Sequence, residues 1–162
     1  MREMFGSVTK VEKQKEKGDF WPFVMITALI VLPIRIFIAQ PFIVNGASMV
    51  PTFENGDYLI VDELSYRFRE PARGEVVIFK YPKDTTKYFI KRIVGLPGET
   101  LSDYGVTLGP DEYFVLGDNK AASSDSRVWG PVRRDLIVGR PYFRLLPPKE
   151  IGILPGDESV RK

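Results

Sequence analysis

Residues 75–80 read Glu-Val-Val-Ile-Phe-Lys, and residues 87–94 read Lys-Tyr-Phe-Ile-Lys-Arg-Ile-Val. Both runs are rich in β-branched and aromatic residues, the composition of strands. Tyr81-Pro82-Lys83-Asp84 stands between them and breaks the first run. In residues 87–94, alternation puts Phe89, Lys91 and Ile93 on one face and Ile90, Arg92 and Val94 on the other. A lysine between two large apolar neighbours on one face of a strand is unusual. The same strand therefore bears on both the fold and the chemistry.

Further strands are expected on either side. Gly56-Asp57 is a turn signal before the apolar residues 58–61. Gly95-Leu96-Pro97-Gly98 ends the lysine strand. Residues 112–116 form another strand, stopped by Gly117-Asp118-Asn119. Residues 136–145 resume strand character, and Gly139 and Pro141 predict a bulge or bend there. Short strands, Gly/Pro turns and no amphipathic helix argue for a mainly β, antiparallel, barrel-like domain over residues 40–162.

Upstream, residues 20–39 are an almost unbroken apolar run. At about 1.5 Å per residue it would reach roughly 30 Å, a bilayer core, so one transmembrane helix is expected. Pro33 would kink it. Arg35 lies within about a turn of its end, where its head can snorkel to the interface. Residues 1–19 are polar and hold Arg2, Lys10, Lys13, Lys15 and Lys17. After Arg35 no basic residue occurs until Arg67. The positive-inside rule then places residues 1–19 in the cytoplasm and the β-domain outside. The expected location is the cell membrane, with a single pass.

The 162 residues carry 23 Lys+Arg against 21 Asp+Glu, a net charge of +2. That balance gives no reason to expect a nucleic-acid partner. There is no histidine and no cysteine. A Ser-His-Asp triad, a thiol nucleophile, a disulfide frame and Cys- or His-ligated metal sites are excluded. A hydrolase built from this chain would use a hydroxyl nucleophile and a lysine or carboxylate base. No metal or cofactor motif is present, and a monomer is expected.

Three groups of residues bear on chemistry. Lys91 sits where apolar neighbours would lower its pKa towards neutrality, so that it can accept a serine proton. From the strand alone, the better reading is an edge-strand lysine pointing to water. Ser48 follows the small residues Gly46 and Ala47, which leave backbone N–H groups open to an oxyanion. Alone, it reads as a turn serine ahead of Pro51. Residues 117–127 hold Asp118, Ser123, Asp125 and Arg127. They read either as a polar loop of Asx and Ser turns or as an ion-pair frame around a site.

Taken in order, Ser48-Met-Val-Pro-Thr52, Gly56-Asp-Tyr-Leu-Ile-Val61, Lys91-Arg-Ile-Val-Gly-Leu-Pro-Gly-Glu99 and Gly117-Asp-Asn119 through Arg127 follow an apolar N-terminal run. The set resembles type I (bacterial-type) signal peptidases, membrane-anchored Ser–Lys serine endopeptidases that remove signal peptides from exported preproteins. The resemblance runs over residues 20–145. It implies Ser48 as nucleophile and Lys91 as general base, with Ser123 hydrogen-bonded to the lysine amine. It implies the Ser48 N–H as one arm of the oxyanion hole. In some members a serine two before the nucleophile supplies the second arm; here that residue is Gly46, and a backbone arrangement must serve. Asp118, Asp125, Arg127 and Arg92 would shape the site by ion pairs. Val44, Met49, Phe89 and Ile90 would form the substrate-binding surface, selecting small residues at the first and third positions before the scissile bond. The partners implied are signal-peptide-bearing preproteins and the lipid bilayer. Only thirteen residues separate Gly98 from Glu112, where many members carry a longer insertion.

Overall fold

The computed structural model describes residues 20–37 and 39–156. The expected cytoplasmic segment, residues 1–19, lies outside the described residues, as does the Arg35 side chain. An 18-residue helix α1 (Phe20–Phe37) is followed by strands β1 (Ala39–Ile43), β2 (Tyr58–Asp62), β3 (Val76–Tyr81) and β4 (Asp84–Gly95). The short pair β5 (Thr100–Leu101) and β6 (Val106–Thr107) precedes β7 (Glu112–Leu116). A single turn of helix, α2 (Ser126–Trp129), leads to β8 (Val132–Arg133), β9 (Ile137–Leu146) and β10 (Gly152–Ile153).

The fold is mainly β and antiparallel. One sheet runs β1-β2-β9-β3-β4-β7-β8, with β10 beside β9, and β5 pairs only with β6. β3 is central, and Val76, Val77, Ile78 and Phe79 are all buried, which explains why its sequence is apolar without alternation. The main core packs Val77, Phe79, Ile93, Tyr113, Val115 and Val132. A second core of Val44, Met49, Phe53, Leu59 and Val76 supports the turn that carries Ser48.

The hairpin β3–β4 is tighter than the sequence suggests. Pro82 and Lys83 alone make the turn, so β4 resumes at Asp84. Irregular pairing does occur around Gly139 and Pro141 in β9. A Cβ at Gly139 would lie 2.5 Å from Asp62 O, so only glycine lets β9 approach β2 there.

The expected helix over residues 20–39 is corrected at its end: α1 stops at Phe37, and Ala39 already pairs with Asp62. Pairing with β2 makes residues 39–43 an edge strand, a position that tolerates Pro41. Among the described residues, no helix is long and apolar enough to cross a membrane. On α1, Phe20, Trp21, Phe23, Met25 and Leu29 are exposed.

Candidate active site

The turn after β1 presents Ser48. Gly46 takes φ +97°, a left-handed conformation open to glycine, and its N–H donates to Asn55 Oδ1 at 2.9 Å. Phe53 N donates to Met49 O at 2.9 Å and closes the turn. Lys91 reaches this turn from β4. Its Nζ lies 2.7 Å from Ser48 Oγ and 2.9 Å from Ile90 O, to which it donates. The lysine is 4% exposed. Burial outweighs the pull of Asp125 and Asp118 and lowers its pKa from 10.5 to about 8. The Phe89 ring centroid is 5.5 Å from Nζ.

The loop after β7 fixes the serine from behind. Asn119 N donates to Ser48 O at 2.9 Å. A Cβ at Gly117 would fall 2.5 Å from Ser48 O and 2.3 Å from Ser123 Oγ, so only glycine fits between them. Asp125 is fully buried and caps α2. Its carboxylate accepts from Gly117 N at 3.1 Å and from Arg127 Nε and Nη2 at 2.8 and 2.9 Å. Burial alone would raise this carboxyl. The Arg127 guanidinium, the nearby Ser123 hydroxyl and the backbone N–H groups outweigh it and hold it at about 2.

Arg92 points away from Lys91, as alternation predicts, and grips Asp118 with Nε and Nη2 at 2.8 and 2.7 Å. Thr52 Oγ1 donates to the same carboxylate at 2.6 Å. These bonds tie β4, the loop after β7 and the Ser48 turn into one frame. Arg144 adds a hydrogen bond from Nη2 to Thr52 O, a contact the sequence reading missed because the partner is 92 residues away.

A cleft of about 520 Å³ opens beside Ser48 and Lys91, lined by Val44, Phe89 and Ile90 and also by Phe42, Leu59 and Ile78. Two free strand edges flank it. β1 is the sheet edge, and β7 pairs with β4 only from Arg92 onward.

Three expected positions differ. Met49 does not line the cleft; it is 1% exposed and packs beneath with Val44 and Ile90, because the turn folds its side chain into the second core. Ser123 makes no hydrogen bond to Lys91. Its Oγ is buried without a well-formed partner, standing beside Asp125 instead. The Gly46 N–H is taken by Asn55 and is not an oxyanion donor. The Ser48 N–H makes no hydrogen bond among the described residues.

The family sequence model described as "signal peptidase, peptidase S26" matches residues 18–108 and 101–146. The chain belongs to this family. A probable signal peptidase I-2 of Synechocystis sp. is 37% identical over 165 residues, covering 82% of this chain and 75% of that protein. Signal peptidase I of Bacillus caldolyticus is 32% identical over 178 residues, covering 85% and 96%. The human mitochondrial inner membrane protease subunit 1 is 34% identical over 122 residues, covering 68% and 71%. Among solved structures, a signal peptidase I from Enterococcus faecalis V583 aligns with a TM-score of 0.39 at 24% identity. It covers 44% of this chain and 97% of that one, a likeness too weak to bear on function.

Proposed function

We propose that this S26 peptidase cleaves signal peptides from preproteins with a Ser48–Lys91 dyad. The observation that carries the reading is the 2.7 Å approach of a buried, pKa-lowered lysine amine to a serine hydroxyl on the wall of a cleft. In its neutral form Lys91 accepts the Ser48 proton as Oγ attacks the scissile carbonyl. The Ser48 N–H receives the developing oxyanion. The proton passes to the leaving amine, and a water deprotonated by the same lysine hydrolyses the acyl-enzyme. Asp118, Asp125, Arg92 and Arg127 hold the frame, and Ser123 packs behind the serine.

The substrate lies as an extended strand between the free edges of β1 and β4. The walls formed by Val44, Phe89 and Ile90 favour small residues at the first and third positions before the scissile bond. Rejection of large side chains is steric; discrimination among small ones is worth about 1–3 kcal/mol per methylene.

The chain acts as a monomer whose helix α1 anchors it in the cell membrane, with residues 1–19 cytoplasmic and residues 40–162 outside. The exposed apolar surface of α1 supports this reading.

The test is cleavage of a preprotein bearing an Ala-x-Ala site, in detergent, across pH. Wild type should cut after the second Ala at a rate that rises with pH around 8 and then levels. Lys91→Ala should lose at least about 10²–10⁴-fold in kcat and Ser48→Ala, which removes the nucleophile, on the order of 10⁶-fold, both while remaining folded. Full activity in Lys91→Ala would sink the dyad.

A further inference from the structure

Residues 147–156 have no part in the mechanism proposed above. Their sequence holds Pro147, Pro148, Gly152, Pro155 and Gly156, residues that break regular structure. The segment nevertheless keeps one course. After a turn at Pro148–Glu150, β10 folds back beside β9, with Gly152 opposite Arg144 and Ile153 opposite Phe143. Leu154 N donates to Tyr142 O at 2.7 Å. Leu154 takes φ +49°, the one positive φ among the described non-glycine residues. That conformation is costly for a leucine, so the contacts around it must hold it. Apolar burial does little of this, since residues 147–151 and Ile153 are exposed.

What the segment touches is the turn that carries Ser48. Gly156 is buried at φ +87°, a conformation suited to glycine. A Cβ there would lie 2.9 Å from Phe53 Cε2 and 3.0 Å from Thr52 Cγ2, so the Gly156 backbone lies directly against the end of the turn. Gly156 O accepts from Arg92 Nη1 at 2.7 Å, and the same guanidinium grips Asp118. Arg144 makes the second tie. It is buried, and its Nη1 donates to Glu150 while its Nη2 donates to Thr52 O. Its guanidinium carbon stands 4.9 Å from the Phe53 ring centroid. Phe53 N in turn donates to Met49 O, next to Ser48, so a shift at Thr52 and Phe53 passes to the serine through one turn of backbone. None of residues 147–156 lines the cleft.

This step rests on the proposed Ser48–Lys91 dyad. We infer that residues 147–156 are a positioning strap: Gly156 directly, and Glu150 acting through Arg144, hold the end of the turn at Thr52 and Phe53 so that Ser48 Oγ stays within hydrogen-bond reach of Lys91.

The experiment uses the full chain in detergent and a preprotein with an Ala-x-Ala site, assayed well below the melting temperature of every variant. Glu150→Ala frees the Arg144 guanidinium, and Gly156→Ala sets a methyl group against Phe53. Each should lower kcat by about 10-fold, short of the 100-fold that a misplacement of about 1 Å costs, with KM within about twofold of wild type. The kinetic pKa should stay near 8, because the groups that bury Lys91 are untouched. A loosened, hydrated site would instead move it towards 10.5. Glu150→Gln keeps an acceptor for Arg144 and should recover most of the lost rate. Lys149→Ala, an exposed neighbour on the same turn, should match wild type. The double variant Glu150→Ala/Gly156→Ala should lose less than the product of the two single losses, since both act on one turn. Unchanged kcat in both single variants, a loss confined to KM, a kinetic pKa that climbs with the loss, no recovery in Glu150→Gln, an equal loss in Lys149→Ala or a double-variant loss equal to the product overturns the strap and leaves the dyad standing. If Gly156→Ala does not fold, the Glu150 variants decide alone. A wild type that cuts no substrate overturns the dyad, and the strap falls with it.

Discussion

At the scale of single residues, the burial of Lys91 carries a stability cost that depends on pH. Its folded pKa, about 8, is below the ordinary 10.5. The folded state therefore binds this proton less tightly than the unfolded chain does. Below about pH 8 the native protein bears the full cost of a buried ammonium. That cost fades as pH rises from 8 towards 10.5. Lys91→Met should accordingly raise the melting temperature at pH 6–7, by a stabilisation on the order of 3 kcal/mol at most, and the gain should vanish near pH 10.5. Thermal denaturation of both proteins across pH measures it; an advantage that grows with pH would contradict the assigned environment. The same deprotonation makes the amine a base, so activity should rise over the pH range in which the stability penalty disappears.

The elements matter through the loop between β7 and α2, which sets the serine from behind. Gly117 is the clearest case. Any Cβ there would strike Ser48 O and Ser123 Oγ. Gly117→Ala should displace the Ser48 turn by a fraction of an ångström to an ångström and cost about 100-fold in kcat/KM, with a much smaller relative effect on the melting temperature. Steady-state kinetics beside calorimetry would separate the two. Asp125 holds the other end of this loop. Its pKa is depressed to about 2, so it stabilises the fold above about pH 4, and that contribution is lost as pH falls through 3.8 to 2. Asp125→Asn should cost about 3 kcal/mol at pH 7, since it strips partners from Arg127 and Gly117 N, and the gap to wild type should close near pH 2. Denaturant titrations at the two pH values test this.

For the whole molecule, α1 and the β-domain play separate parts. The buried apolar clusters lie wholly within residues 44–137, and the described part of α1 presents exposed apolar side chains. Deleting residues 1–37 should leave the β-domain folded, with a melting temperature within a few degrees of the full chain. The full chain should sediment with phospholipid vesicles and the deletion should do so far less. Loss of the folded domain on deletion would mean that α1 is part of the core. The cleft requires the whole sheet as well: β1 and β4 flank it from opposite ends of the order β1-β2-β9-β3-β4, so its walls exist only when all five strands are in register.

Much of the mainly β character could be read from local pattern. β2, β3, β7 and β9 fall within a residue or so of the apolar runs between Gly/Pro turns, because strand alternation and turn chemistry act over a few neighbours. The absence of histidine and cysteine removed whole classes of catalysis from composition alone, and ordered motifs singled out Ser48 and Lys91 as a pair. The sequence could not reveal β1, whose strand state comes from pairing with β2 across the intervening residues 44–57. Nor could it turn Met49 inward, occupy the Gly46 N–H with Asn55 or bring Arg144 to Thr52, because each depends on which surfaces meet after the sheet forms. Local patterns report what a residue can do with its neighbours along the chain. Burial, the lowered lysine pKa and the 2.7 Å approach to Ser48 depend on groups that only packing brings together.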